Sequence, residues 1–235
     1  QLKCRFSHRI VIPMLQINGL FPVPFAFDTH ADPARLNAAL RSLFIAREKE
    51  GTRYANPGPI TLRNKPLFES TFHLFSWPEP EIAELREFCL SRVRQLVGEL
   101  NNYDAATRQR LDIHTDAWFH VTRRNGFFGV HNHPLASWSG VYCVSAGQHD
   151  VDDPDSGLLN FLHPHIGQAM YVDAGNEFLK QPFGIQNFGL SLQPGQLILF
   201  PSWLLHQVLS FHGEGERITV AFNCSMKLRP PAASL

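Results

Sequence analysis

A chain of 235 residues with 44% hydrophobic and 18% charged residues has the composition of one ordinary globular domain, long enough to bury a sizeable core. Lys+Arg and Asp+Glu are 21 each, so no basic field advertises nucleic acid or a membrane surface. The 19 phenylalanines point to a β-rich core and the 12 histidines to metal chemistry at some positions; Cys4, Cys89, Cys143 and Cys224 form no C-x-x-C pair, which fits a reducing, cytoplasmic compartment better than a disulfide scaffold.

Residues 10–15 are apolar but short, broken by Pro13 and without a cleavage site, so they read as neither a signal peptide nor a membrane span. Over 10–27 the prolines and Gly19 divide the chain into short extended pieces suited to a sheet edge. Asp32 as N-cap and Pro33 at the first helical position open a helix whose stripe of Leu36, Leu40, Leu43 and Phe44 runs to about Arg47. Residues 51–66, rich in Pro and Gly, form a loop long enough to border a site. Residues 68–77 alternate like a strand, and Pro78 opens a second helix with Ile82, Leu85, Phe88, Cys89, Val93, Leu96 and Leu100 at helical spacing. The two helices are expected to pack together on one sheet face.

From about Asp112 the pattern becomes strands and turns: 112–124, 127–133, 138–146, 158–162, 190–192, 196–200, 203–211 and 217–224. An acidic loop at 147–155 and a long excursion at 163–188 interrupt them, and 230–235 reads as a loose tail. Short strands at this spacing predict a barrel or sandwich, an α+β but mainly β fold. We read one domain over 1–235, with 1–111 as support, 112–225 as the β core and 226–235 as tail.

Within that core, His131 and His133 are i and i+2 in an apparent strand, so both imidazoles point to one side and can reach one metal ion. His206, at the end of an apolar run, supplies a third. Arg217 follows eleven residues later, with Thr219 on the same face. If Gly213-Glu214-Gly215 turns one strand into the next, His206 pairs near Ala221 or Phe222, which puts Arg217 four or five residues along, roughly 13–17 Å away at about 3.3 Å per residue. The planar fork of an arginine suits a carboxylate, so metal and arginine together would grip a small diacid. Tyr142 is a candidate further donor on the wall, and the sequence does not fix which way its ring points.

Taken together, His131-x-His133-Pro134, Ser139-Gly140-Val-Tyr142, Ser156-Gly157, Pro194-Gly195, Phe200-Pro-Ser-Trp203 with His206, and Glu216-Arg217-Ile-Thr219 with Phe222-Asn223 resemble the Fe(II)- and 2-oxoglutarate-dependent oxygenases. More narrowly they resemble an uncharacterised bacterial and phage-type subfamily with an H-x-H, H, R-x-T pattern. The resemblance covers Trp118 to Asn223 well and Leu20 to Leu100 loosely. It implies a double-stranded β-helix, a jelly-roll or cupin-like barrel with N-terminal helices packed on one sheet. It also implies Fe(II) on His131, His133 and His206, with 2-oxoglutarate held by Arg217, Thr219 and Tyr142. The enzyme would be a dioxygenase, most simply a hydroxylase, acting on a small molecule or peptide, with no nucleic acid or membrane partner. Cys143 stands where a second Tyr is usual, the segment after Trp118 lacks the expected Asn, and His133 stands where the wider superfamily has an acid.

Competing readings are simple to state. His8, His30, His73, His114, His120, His149 and His212 read as surface or core histidines, and His163-Pro-His165 as a rim element. Arg217 could pair with Glu214 or Glu216 instead of a cofactor, and an acid from 150–155 could replace His133 at the metal. A cupin-type three-histidine protein, working on zinc or without 2-oxoglutarate, and a non-catalytic metal-binding module are the alternative functions. Arg217-Ile-Thr219 argues for the oxygenase over the cupin.

Overall fold

The structure is a computed structural model that describes residues 15–148, 150 and 152–230. Expectations for Cys4, His8, the apolar run up to residue 14, His149 and the tail 231–235 lie outside those residues. Among the described residues ten strands and three α-helices follow in order: β1 (Ala26–Thr29), α1 (Pro33–Lys49), β2 (Leu67–Glu69), α2 (Pro80–Leu100), α3 (Ala105–Gln109), β3 (Leu111–Thr122), β4 (Phe128–His131), β5 (Trp138–Gln148), β6 (Leu159–Phe161), β7 (Phe188–Leu190), β8 (Gln196–Pro201), β9 (His206–Val208) and β10 (Glu214–Leu228). They make two antiparallel sheets, one ordered β1-β8-β5-β10-β3-β2 and the other β4-β9-β6-β7. No helix among the described residues is long and apolar enough to cross a membrane.

The larger sheet has apolar side chains on both faces. Phe119, Val121, Tyr142, Val144, Ile218, Val220 and Phe222 pack with Leu36, Leu40 and Phe44 of α1 and Ile82, Leu85 and Val93 of α2. Val141, Cys143, Ile198 and Phe200 face the other way and pack with Leu159, Phe161, Leu192 and Leu204 in the space between the sheets. Helix α1 starts where its cap predicts: the Asp32 carboxylate accepts from the Arg35 N–H, and Pro33 has no donor to lose.

Three expectations need correction. The strand expected over 68–77 is only β2, because Leu74 and Phe75 are consecutive and both buried, which a 3₁₀ turn allows and one face of a strand does not. Helix α2 begins at Pro80, two residues late, since Glu79 precedes a proline and is extended at φ −64°, ψ 134°; its stripe ends on Val97, with Leu100 half exposed. Most consequentially, β9 and β10 are not a hairpin. β9 pairs with β4 and β6, whereas β10 lies between β3 and β5 in the other sheet. Phe211 is the reason: its ring is buried and its backbone bonds to Asn125 and Gly126 in the turn after β3, so the chain crosses from one sheet to the other there.

Candidate active site

His131 ends β4 and sits directly opposite His206, the first residue of β9; cross-strand partners share a face, and the rings are 4.2 Å apart. His133 lies beyond the strand, so strand alternation does not aim it. Its N–H donates instead to the Ser202 carbonyl (2.9 Å), which brings its ring to 4.9 Å from His131 and 5.0 Å from His206. Ser202 is itself pinned. Its hydroxyl is 2.8 Å from that of Ser139, which donates to Asn223 Oδ1, so a buried chain of three side chains fixes the turn that holds His133. All three belong to the motifs quoted above, which is the signal by which a reading of the sequence could have found them.

One candidate ligand atom from each histidine lies within 4.8 Å of the other two. Carbonyl oxygens only accept, so His131 Nδ1–H donates to Gly129 (2.8 Å) and His206 Nδ1–H to Leu204 (2.9 Å). Each Nε2 is left as a lone pair. Burial, then the neighbouring imidazoles His131 and His120, push His133 down to about 3; burial and His131 do the same to His206, and burial lowers His131. The three rings are therefore neutral at physiological pH. Neutral imidazole donors with fixed tautomers suit a divalent transition metal such as Fe(II) or Zn(II). Among the described residues no carboxylate joins the group: Asp153 is engaged by His212 Nδ1.

Arg217 lies on the inner face of β10, as expected, with Thr219 two residues on; both are buried. Burial lowers the pKa of its guanidinium, and no carboxylate among the described residues pairs with it. Glu216 is bound by Arg41 and Glu214 by Arg124, so the hairpin ion pair is absent. Gly157, at φ +66°, makes room: a Cβ there would stand 3.0 Å from Phe211 and 3.2 Å from Arg217 Cδ.

Tyr142 is a correction. It points at the helices, where its ring is fully buried and its hydroxyl donates to Asn37 Oδ1 of α1 at 2.8 Å, so it cannot reach a ligand between the sheets. Its neighbour Cys143 faces inward instead, 1% exposed and opposite Thr219 in the register.

The inner face of β3 supplies what the sequence reading missed. Thr122 is directly opposite Arg217 and His120 opposite Thr219. The Thr122 hydroxyl and the Trp118 Nε1–H are buried without a partner, the kind of unmade bond that a ligand or water completes. His120 Nε2 lies 3.4 Å from Glu69, which Arg63 (2.7 Å) and Asn56 (2.8 Å) also bind. Its field reaches Arg217's side and the metal-site side alike, since Arg217 helps to lower its pKa and it helps to lower those of His131 and His133. Loop 51–66 thus borders the site, through Arg63 and through Leu62, whose carbonyl accepts from Gly129.

Residues 116–223 match the family model described as "Putative 2OG-Fe(II) oxygenase". The match takes in all of β4 to β9 and most of β10, a little under half of the chain, and is what the chain resembles in sequence. The chain shares its fold with a prolyl-4-hydroxylase of Pseudomonas putida (16% identity, TM-score 0.56, covering 88% of this chain and 93% of that one). It is similar to AviO1 of Streptomyces viridochromogenes (14%, 0.56, 90% and 93%) and to HygX of Streptomyces hygroscopicus solved with nickel, 2-oxoglutarate and hygromycin B (13%, 0.53, 87% and 83%). At these identities the likeness is one of fold. No curated protein matches the chain in sequence.

Proposed function

We propose that this Fe(II)- and 2-oxoglutarate-dependent oxygenase is a hydroxylase in which His131, His133 and His206 hold the iron and Arg217 anchors the far carboxylate of 2-oxoglutarate. The observation that carries the second part is the buried guanidinium of Arg217, which has no anion of its own and stands beside two inward hydroxyls, Thr219 and Thr122. A buried cation is costly unless paired, and a carboxylate fits its planar fork. The two stacked antiparallel sheets support reading the fold as a double-stranded β-helix.

Bound Fe(II) and 2-oxoglutarate would supply the oxidising chemistry with dioxygen as the four-electron oxidant: the oxo acid loses CO2 and becomes succinate with one oxygen atom, and the other oxygen atom converts a substrate C–H to C–OH. The chain's own part is placement. Neutral imidazoles offer three nitrogen donors from one side, and the Gly129 and Leu204 carbonyls keep two of them in the tautomer that donates through Nε2. The hydroxyls of Thr219, two residues along β10, and of Thr122, opposite Arg217 in the register, would donate to the carboxylate held by Arg217. Cys143, Val141 and Phe200 close the space between the sheets to water.

An anaerobic Fe(II) titration with and without 2-oxoglutarate, monitored in the visible range, tests this. A charge-transfer band that needs iron, 2-oxoglutarate and Arg217 is the expected result. Iron binding to the three histidines with no effect of 2-oxoglutarate would favour the cupin-type alternative.

A further inference from the structure

A cavity of about 790 Å³ lies beside the candidate active site, walled by the segment after Leu162 and by residues just before β1. Its volume is that of a small-molecule site. In a chain with 18% charged residues, none of its lining residues among those described is Asp, Glu, Lys or Arg. The wall is mostly Leu, Phe, Pro and Ile, and its polar positions are amides and imidazoles: His163, His165, Gln168, Asn176, Gln181 and Gln186.

The register ties this cavity to the three histidines. His131, His206, Phe161 and Phe188 are consecutive cross-strand partners over β4, β9, β6 and β7, so they form one row on one face of the smaller sheet. Phe161 is 5.7 Å from the His206 ring and 6.3 Å from that of Phe188, and both phenylalanines line the cavity. The wall is therefore one ring away from a proposed metal ligand. Phe21 adds an independent sign: it lines the cavity at φ 64°, a conformation unfavourable for a bulky residue, with its side chain 84% exposed. Strain of this kind is characteristic of ligand clamps.

We infer that this cavity binds the body of the substrate and that the substrate is an uncharged, largely apolar, ring-bearing small molecule with a few hydrogen-bonding groups. Among the described lining residues no carboxylate, ammonium or guanidinium is at hand to pair with a buried ion, which argues against sugar phosphates, free amino acids and nucleotides. Amide and imidazole groups at the rim serve hydroxyls or carbonyls of the ligand. The inference rests on the proposed oxygenase site for the word substrate, whereas the binding property stands without it.

The test uses two dyes with one carbon skeleton, neutral N-phenyl-1-naphthylamine and its sulfonated analogue 8-anilinonaphthalene-1-sulfonate, titrated into the full chain by fluorescence. The neutral dye should bind saturably, one per chain, at least tenfold more tightly than the sulfonate. Phe188→Asp and, separately, Ile185→Asp should each weaken it at least tenfold with Fe(II) affinity unchanged. Co(II) on the three histidines should quench the bound dye, and His206→Ala should abolish the quenching. Equal binding of the two dyes, or indifference to both aspartates, overturns the cavity assignment; Co(II) that binds without quenching overturns its link to the site. If no metal binds at all, the proposed function fails, and the dye comparison still decides the cavity by itself.

Discussion

His131 and His206 face each other directly across β4 and β9, so the first and last residues of two short strands are set by one rung of a ladder. His206→Ala is therefore expected to abolish stoichiometric metal binding, as is His131→Ala. Metal that binds only the folded state stabilises it by about 2.7 kcal/mol at a hundred times its dissociation constant. The melting temperature should rise with Fe(II) or Co(II) in the parent and stay put in either variant. Full metal occupancy in His206→Ala would remove it from the site.

The pH dependence of the metal-free protein follows from His133 and His206, whose pKa values are depressed to about 3. An unfolded histidine titrates near 6.5, so between about pH 6.5 and 3 the unfolded chain binds more protons than the folded one. Stability from these two rings is complete above pH 6.5 and is lost as pH falls towards 3. Denaturant melts of the apo protein from pH 7.5 to 4 should show a steady fall, reduced in a His133→Asn, His206→Asn double variant. An unchanged slope in that variant would place the loss elsewhere.

Arg217 sets function against stability. Replacing a buried, unpaired cation with an apolar group of similar length should stabilise the apo protein by about 1–4 kcal/mol, so Arg217→Met is expected to melt later and to lose 2-oxoglutarate binding. Arg217→Lys keeps the charge without the fork and should bind 2-oxoglutarate at least tenfold more weakly. Thr122→Val removes an unpartnered hydroxyl and should weaken 2-oxoglutarate several-fold without destabilising the fold. Calorimetry and thermal melts of the three variants check both halves.

His133 leaves the metal with three neutral donors, so 2-oxoglutarate must supply the neutralisation that a carboxylate ligand would have shared. Iron and 2-oxoglutarate should bind with strong, reciprocal coupling. His133→Asp is expected to tighten iron in the absence of 2-oxoglutarate and to shrink that coupling, whereas Asp153→Ala, at a residue engaged by His212, should change neither. Iron titrations of the parent and both variants decide it; loss of iron in Asp153→Ala would reinstate the aspartate as ligand.

Much of this site was legible because its residues are chemically distinctive at short spacing. His131, His133 and His206 come together as expected, although His133 does so through the Ser202 carbonyl and not through strand alternation. Tyr142 was misread for a physical reason: β5 is buried on both faces, so Tyr142 and Cys143 sit in runs equally apolar on either parity, and no alternation says which points inward. His120 gave no signal because Glu69, its partner, lies 51 residues away. The hairpin error came from reading glycines at 213 and 215 as a turn when the buried ring of Phe211 had already carried the chain into the other sheet.

That crossing makes the two sheets the jaws of a caliper. His131 and His206 belong to the smaller jaw and Arg217 to the larger, so the gap between them is set by side chains wedged from both sides, Cys143 and Phe200 against Phe161 and Leu204. Stacked sheets stand about 10 Å apart, and a single methylene is felt in packing of this kind. The wedge then gauges the length of the acid. Widening it with Cys143→Met should shift binding from 2-oxoglutarate towards 2-oxoadipate, one carbon longer, a preference that competition calorimetry reads directly.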